Sequence, residues 1–308
     1  MVILEPSYRR LLDSGELQRR AMQSHCRLEA CDLCPRECRV NRLQGATGAA
    51  CRTGTRSVVS SFNPHFGEEA PLVGHGGSGT IFFAWCNLQC QYCQNHEISQ
   101  AGEGSEVEPE QLAAMMLRLQ QMGCHNINFV SPSHVVPQIL AGVVLAAQAG
   151  LRVPLVYNSG GYDSIATLAL LDGVFDIYMP DIKYSDELTA RRLSKIKDYP
   201  RVNQAAVAEM HRQVGDLQVD EGGVAVRGLL VRHLVLPGGL AGSAEVVRFL
   251  ADRISRDTYL NVMDQYRPCY RAGEFPELNR RPSSAECAEV VRLAREAGLR
   301  RLDGMTVV

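Results

Sequence analysis

A chain of 308 residues with 45% hydrophobic content is long enough to bury one barrel-sized core plus a small appendage, which sets it apart from short disulfide-stapled scaffolds. Its 32 basic and 34 acidic residues leave a formal charge of -2, so it has no general attraction to nucleic acid or to an anionic membrane. The opening Met1-Val2-Ile3-Leu4-Glu5-Pro6 is too short an apolar run for a secretory leader, and no stretch approaches the ~18 apolar residues of a membrane span; the 11 cysteines are therefore expected as reduced thiols in the cytoplasm.

Residues 1–78 are expected to form a Cys-rich N-terminal extension, separate from a larger unit over 79–308. A helix is expected over 7–28, followed by Cys31, Cys34, Cys38 and Cys51 as C-x2-C-P-x2-C with a fourth thiol beyond. Four thiols in so short a span of a reduced protein read as metal ligands. They form a closed set, structural or electron-relaying, and the metal is either an auxiliary 4Fe–4S cluster or zinc. The segment Phe62-Asn63-Pro64-His65-Phe66-Gly67-Glu68-Glu69 and the glycines of 74–79 read as a linker.

The apolar run Thr80-Ile81-Phe82-Phe83-Ala84-Trp85 is a first strand, and Cys86, Cys90 and Cys93 follow it at C-x3-C-x2-C spacing. Three close thiols do not complete a zinc shell, but they can hold three irons of a cubane and leave the fourth iron open. Zinc with a remote fourth ligand, or buried structural cysteines, are the other readings of that spacing. Trp85 is expected to pack over the loop.

Further strands are expected over 126–130, 153–157, 175–179, 229–236 and 259–263. Between them lie helical patterns from 109 to Gly123 and over 135–149, 162–171, 185–214, 243–254 and 283–297, the last opened by a Ser283/Glu286 capping box. Six strand–helix alternations imply parallel strands with right-handed crossovers, an α/β fold with a partial (β/α)6 barrel. Polar clusters follow the strand ends: the thiols, then Ser131-Pro132-Ser133-His134, Asn158-Ser159, Met179-Pro180-Asp181-Ile182-Lys183, Pro237-Gly238-Gly239 and Asp264-Gln265-Tyr266. Such ends meet at one rim, where active sites of these folds lie. Asp181 and Lys183 stand two residues apart and can face the same side.

The C-x3-C-x2-C set with an aromatic residue before its last cysteine, within Gly79-Thr80-Ile81-Phe82-Phe83 through Cys93-Gln94-Asn95-His96-Glu97-Ile98-Ser99, resembles the radical S-adenosylmethionine (SAM) superfamily, in the branch related to pyruvate formate-lyase activating enzyme. The resemblance implies a radical SAM type of partial barrel and a 4Fe–4S cluster on Cys86, Cys90 and Cys93, whose open iron binds SAM. It implies SAM contacts from Tyr92, Asn95, Ser133, His134, Asn158, Ser159, Met179, Asp181 and Lys183, with Arg232 and Gln265 near SAM or substrate by family position.

Relatives place a monovalent cation beside a Met-x-Asp-x-Lys run resembling 179–183. Here Asn158-Ser159 replaces an Asp-Thr pair, and Ser131 to His134 replaces a Gly-Gly-Glu run. The implied chemistry is reductive cleavage of SAM to a 5′-deoxyadenosyl radical, fed by a one-electron donor such as flavodoxin or ferredoxin. The implied target is a glycine on a partner protein. Modification of a small molecule or peptide is the alternative, since the extra cysteines here precede the motif. A zinc-stabilised scaffold on a barrel is the alternative of another class. No catalytic side chain is assigned.

Overall fold

The computed structural model describes residues 5–303; the Met1 to Leu4 part of the opening run lies outside the described residues. Ten strands occur in chain order: β1 (Ser57–His65), β2 (Ser78–Phe83), β3 (Ser105–Val107), β4 (Ile127–Val130), β5 (Leu155–Ser159), β6 (Ile177–Pro180), β7 (Gln218–Val219), β8 (Ala225–Leu234), β9 (Tyr259–Met263) and β10 (Arg301–Asp303). The helices are α1 (Tyr8–Asp13), α2 (Glu16–Cys26), α3 (Ala70–Val73), α4 (His96–Ser99), α5 (Pro109–Gln121), α6 (Val136–Gln148), α7 (Ile165–Leu171), α8 (Glu187–Ser194), α9 (Tyr199–Val214), α10 (Ser243–Phe249) and α11 (Ser284–Glu296).

The sheet runs β10-β9-β8-β6-β5-β4-β2-β1-β3, with β7 folded back on β8 as a hairpin. The six expected strands are β2, β4, β5, β6, β8 and β9, and they pair in parallel throughout. Arg301–Asp303 adds a seventh parallel strand beyond β9. At the other edge β1 and β3 are antiparallel. The ends, β10 and β3, do not pair with each other, so the barrel is open.

The chain before residue 79 does not stand apart from the barrel. Strand β1 takes in Phe62–His65 of the expected linker and pairs along β2, while α1 and α2 pack on α6. Helix α6 is buried nearly all round, as its apolar composition requires. The helix expected over 7–28 is two helices because Gly15 takes φ +75 between them, a conformation open to glycine at little cost. At the far end Ser283 and Glu286 make the expected capping box and start α11.

Strand alternation sorts side chains into two layers. Phe129, Tyr157, Tyr178, Leu229 and Val231 pack outward under the helices. Val156, Ile177, Met179 and Leu230 turn inward and, with Leu72 of α3, fill the barrel floor. The next inward positions toward the strand ends are Asn158, Asp181 and Arg232, so the apolar plug gives way to a polar interior.

His233 of β8 is fully buried, with Nδ1 at 2.6 Å from Ile182 O and Nε2 at 2.8 Å from Ser243 Oγ. Burial pushes its pKa down to about 4, the Ile182 carbonyl opposing. An unfolded histidine takes up its proton near pH 6.5, so between those values the unfolded state binds more protons than the native state. Stability contributed by neutral His233 is thus complete above about pH 6.5 and falls by about 1.4 kcal/mol per pH unit below it. Urea unfolding at pH 7 and pH 5 is expected to show a shallower loss for His233→Gln than for the parent chain; equal slopes would contradict this.

Candidate active site

The loop of Cys86, Cys90 and Cys93 caps the end of β2 and is held by backbone on three sides. Trp85 N–H donates to Ile98 O at 3.0 Å, Gln91 N–H to Leu193 O at 2.8 Å, and Arg271 N–H to Gln91 O at 3.0 Å. Asn87 Nδ2 donates to Tyr162 O at 2.7 Å, which ties the loop to the end of β5. Trp85 enters the turn with φ +65, a left-handed backbone that costs a bulky residue about 1–2 kcal/mol. Its ring lies under the Arg52 guanidinium at 5.0 Å and against Gly102, where a Cβ would sit 2.1 Å from the indole.

Each of the three sulfurs has a hydrogen-bonding neighbour, and Cys86 Sγ has a second, Asn87 Oδ1 at 3.8 Å. Leu88 N–H donates to Cys86 Sγ at 3.3 Å, Ser194 Oγ lies 3.0 Å from Cys90 Sγ, and Ser99 Oγ lies 3.1 Å from Cys93 Sγ. Burial pushes the Cys86 thiol up to about 12 and raises Cys90, while the Lys183 charge pulls both down. Without a metal Cys86 and Cys90 keep their protons at neutral pH, and a metal that binds them displaces those protons.

Among the described residues, no three His, Cys, Asp or Glu side chains are gathered to hold a single metal ion. A tetrahedral zinc would need sulfurs ~2.3 Å from one point, whereas a cubane spreads its thiolates around four irons. Three soft donors with a hydrogen-bonding neighbour each and no fourth thiol on the loop fit three corners of such a cube.

Inside the barrel beside the loop lies a largely buried charge network, its Lys183, Asp181 and Arg232 side chains 16%, 13% and 17% exposed. Lys183 Nζ is 2.6 Å from Asp181 Oδ2, Arg232 Nε donates to Asp181 Oδ1 at 2.9 Å, and Arg232 Nη2 donates to Asn158 Oδ1 at 2.7 Å. Glu68 approaches Arg232 at 3.7 Å. Burial would raise the Asp181 pKa, but Arg232 and Lys183 outweigh it and hold the carboxyl below its ordinary value. Lys183 and Arg232 are raised in turn: burial opposes their charge and Asp181 more than restores it. The site is therefore ionised, and the Lys183 charge acts on Cys86 and Cys90.

The residues assigned to SAM divide into three groups. Asn158, Asp181 and Lys183 meet in the interior network, and Met179 forms part of the floor below them. Ser133 and Ser159 point the other way. Their hydroxyls donate to Asp163 at 2.6 and 2.7 Å, joined by Tyr157 OH at 2.9 Å. Ser159 follows Asn158 on a strand, so the two face opposite sides of the sheet. Asp163 is fully buried, and burial raises its pKa against the three hydroxyls; the sequence shows only an aspartate two residues beyond a glycine pair.

Tyr92 packs beneath the loop, edge-on to Tyr184 and Tyr266, and its hydroxyl accepts from Tyr184 OH at 2.6 Å. His134 is buried, with Nε2 at 3.1 Å from Ala84 O and its pKa lowered to about 3, by burial first and Arg42 second; it is neutral and faces the N-terminal cysteines. Asn95 is exposed at the start of α4. Gln94 reaches across to Gln265 O at 3.3 Å.

The cation expected from the resemblance finds both Asp181 oxygens already paired with Lys183 and Arg232. His65 lies beside Glu68 and His75 packs edge-on against His125.

A family model of the Radical SAM superfamily matches residues 80–226. The chain is 31% identical over 276 residues to the uncharacterized protein MJ0674 of Methanocaldococcus jannaschii, an overlap covering 87% of this chain and 75% of that one. Among solved structures it is similar to Streptococcus suis SuiB bound to precursor peptide SuiA, at 11% identity and a TM-score of 0.50 over 71% of this chain and 47% of SuiB. A radical SAM methyltransferase from Sphaerobacter thermophilus is similar at 14% identity and a TM-score of 0.47, over 73% of this chain and 66% of the other.

Proposed function

The chain belongs to the radical SAM superfamily, and from that premise we propose that Cys86, Cys90 and Cys93 hold a 4Fe–4S cluster whose fourth iron takes SAM. When bound, the cluster and SAM together supply the one-electron cleavage that yields methionine and a 5′-deoxyadenosyl radical able to remove a hydrogen atom. A donor of the flavodoxin or ferredoxin type supplies the electron. The observation that carries this reading is the seating of three sulfurs, Cys90 buried and Cys86 and Cys93 half-buried, each with a hydrogen-bonding neighbour, beside a largely buried ammonium and guanidinium. The zinc-stabilised scaffold is not carried forward, because superfamily membership indicates an enzyme.

The protein's own part is to bind, orient and exclude water. Lys183 and Arg232 offer positive charge to the carboxylate of SAM, and Asn158 offers an amide beside them. The floor of Val156, Ile177, Met179 and Leu230 closes the cavity below. Asp163 with its three hydroxyls fixes the ends of β4 and β5 from behind and does not touch SAM.

Because guanidinium and ammonium groups already pair with Asp181, the site needs no monovalent cation. Exchanging potassium for sodium, or omitting both at constant ionic strength, is expected to leave SAM affinity within about twofold. A tenfold weakening, about 1.4 kcal/mol, would restore the cation and remove Arg232 from that role.

For the substrate, the proposal is a glycine on a partner protein. The open sheet supports it, since among the described residues β3 and β10 end the strand order without pairing to each other, an arrangement in which one side of the rim can admit an inserted chain segment. The test is to incubate reduced enzyme and SAM with candidate glycyl radical proteins and to record the paramagnetic spectrum. A glycyl signal accompanied by equimolar 5′-deoxyadenosine is expected. Nucleoside release sustained instead by a peptide or a small molecule, with no radical on any protein candidate, would overturn the activase reading and favour the alternative.

A further inference from the structure

The N-terminal cysteines are the part of the chain that the proposed chemistry leaves unused. Cys31, Cys34, Cys38 and Cys51 line one small cavity together with Leu33, Arg36, Arg42, Asn87 and His134. Its walls come from three places in the sequence: the N-terminal turns, the loop residue next to Cys86, and the turn after β4.

The charges around this cavity do not balance. Arg42 is 1% exposed, and its guanidinium donates to Thr53 O at 2.7 Å, His134 O at 2.8 Å, Gly54 O at 3.3 Å and Cys31 Sγ at 3.6 Å. No carboxylate is among those partners. A second guanidinium, Arg36, lines the same cavity; its Nη2 is buried with no partner, and its Nε donates to Asn87 O at 2.5 Å. A buried cation without a counter-charge costs several kcal/mol. Four protonated thiols supply no negative charge, whereas four thiolates on a metal centre do.

We propose that Cys31, Cys34, Cys38 and Cys51 ligate a second 4Fe–4S cluster, charge-balanced by Arg42 and Arg36, through which electrons enter the site of Cys86, Cys90 and Cys93. One observation selects iron–sulfur over zinc: the unpartnered Arg36 N–H and the Arg42 fork match the hydrogen bonds that cluster sulfurs accept and that tune their potential.

Adjacency supplies the electron's destination. Asn87 both lines this cavity and follows Cys86, so one residue separates the two thiol sets along the wall. In each transfer a reduced one-electron donor loses one electron, the second cluster gains it and returns to its oxidised state on passing it inward, and no proton or group moves. This destination rests on the proposed function; the second cluster itself does not.

The test uses the full-length chain, reconstituted anaerobically. In Cys34→Ala/Cys51→Ala, iron and acid-labile sulfide are expected to fall to about half of the parent content. The ratio of flavodoxin-driven to dithionite-driven 5′-deoxyadenosine release is expected to fall about tenfold or more. Unchanged iron with loss of a zinc ion overturns the cluster, and an unchanged ratio overturns the relay.

Because the double variant can fail to fold, Arg42→Met, which keeps every cysteine, gives an independent reading in a Cys86→Ala/Cys90→Ala/Cys93→Ala background. There the remaining cluster is expected to show a more negative potential, reversed by Arg42→Lys, and no shift contradicts the charge balance. Halved iron in a protein that never releases nucleoside would end the proposed function and leave the second cluster standing.

Discussion

Replacing Cys86, Cys90 and Cys93 together by alanine is expected to abolish 5′-deoxyadenosine release while the chain still folds. The loop stays anchored through backbone bonds from Gln89 and Gln91 to the end of α8 and from Arg271 to Gln91 O, none of which involves a sulfur. Tyr92 remains packed on Tyr184 and Tyr266. Three small truncations at the end of β2 therefore remove donors without removing the core that positions them, and far-ultraviolet dichroism is expected to match the parent. The assay is nucleoside release by anaerobic protein with excess reductant, where the expected loss is at least about a thousandfold because the electron path itself is gone. Persistent release above a protein-free control would disprove the ligand assignment.

The second large effect is expected at Asp181. Its carboxylate is the shared partner of two largely buried cations, and the other carboxylates that act on Arg232 are Glu69 and Glu68, the latter at 3.7 Å. Asp181→Ala leaves Lys183 and Arg232 in the barrel without their carboxylate, and removing one member of a buried pair costs about 3–5 kcal/mol. Urea unfolding is expected to show that loss at neutral pH.

Lys183→Met is expected to couple strongly with it, the double variant falling short of additivity by about 1–3 kcal/mol. The pH dependence has a definite sign. Asp181 is held below its ordinary value, so its contribution is complete above about pH 3.9 and is lost as pH falls through the lower folded value. A neutral-pH cost under about 1 kcal/mol, as at an exposed pair, would place Asp181 in contact with water and sink the closed-interior description.

What the sequence discloses follows from how each element earns its stability. Strands β2, β4, β5 and β6 are apolar runs because both faces are covered, while β8 and β9 stand out through their apolar Leu229–Val231 and Leu260/Val262 positions. Strand β1 carries Ser60, Ser61, Asn63 and Pro64 on a largely exposed edge beside β2, so its composition reads as a linker. β10 is three residues long and gives no period to detect.

The site was legible in its thiols and in Asp181 with Lys183, where spacing carries direction. It was not legible in Glu68 or Ser194, which meet Arg232 and Cys90 only through folding, nor in Arg42 and Asp163, which join near neighbours to the distant His134 and Ser133. Alternation on β5 was available from the start, however: it places Asn158 with Arg232 and turns Ser159 away.

The central claim is an iron that no protein side chain occupies and that SAM reaches. Pulsed electron–nuclear double resonance on the reduced protein with SAM carrying nitrogen-15 in its amino group tests it directly. Hyperfine coupling between that nitrogen and the cluster, absent in the variant lacking Cys86, Cys90 and Cys93, is the predicted result. A reduced cluster at full iron content with no coupling to SAM would mean that the fourth iron is already ligated, and would contradict the account.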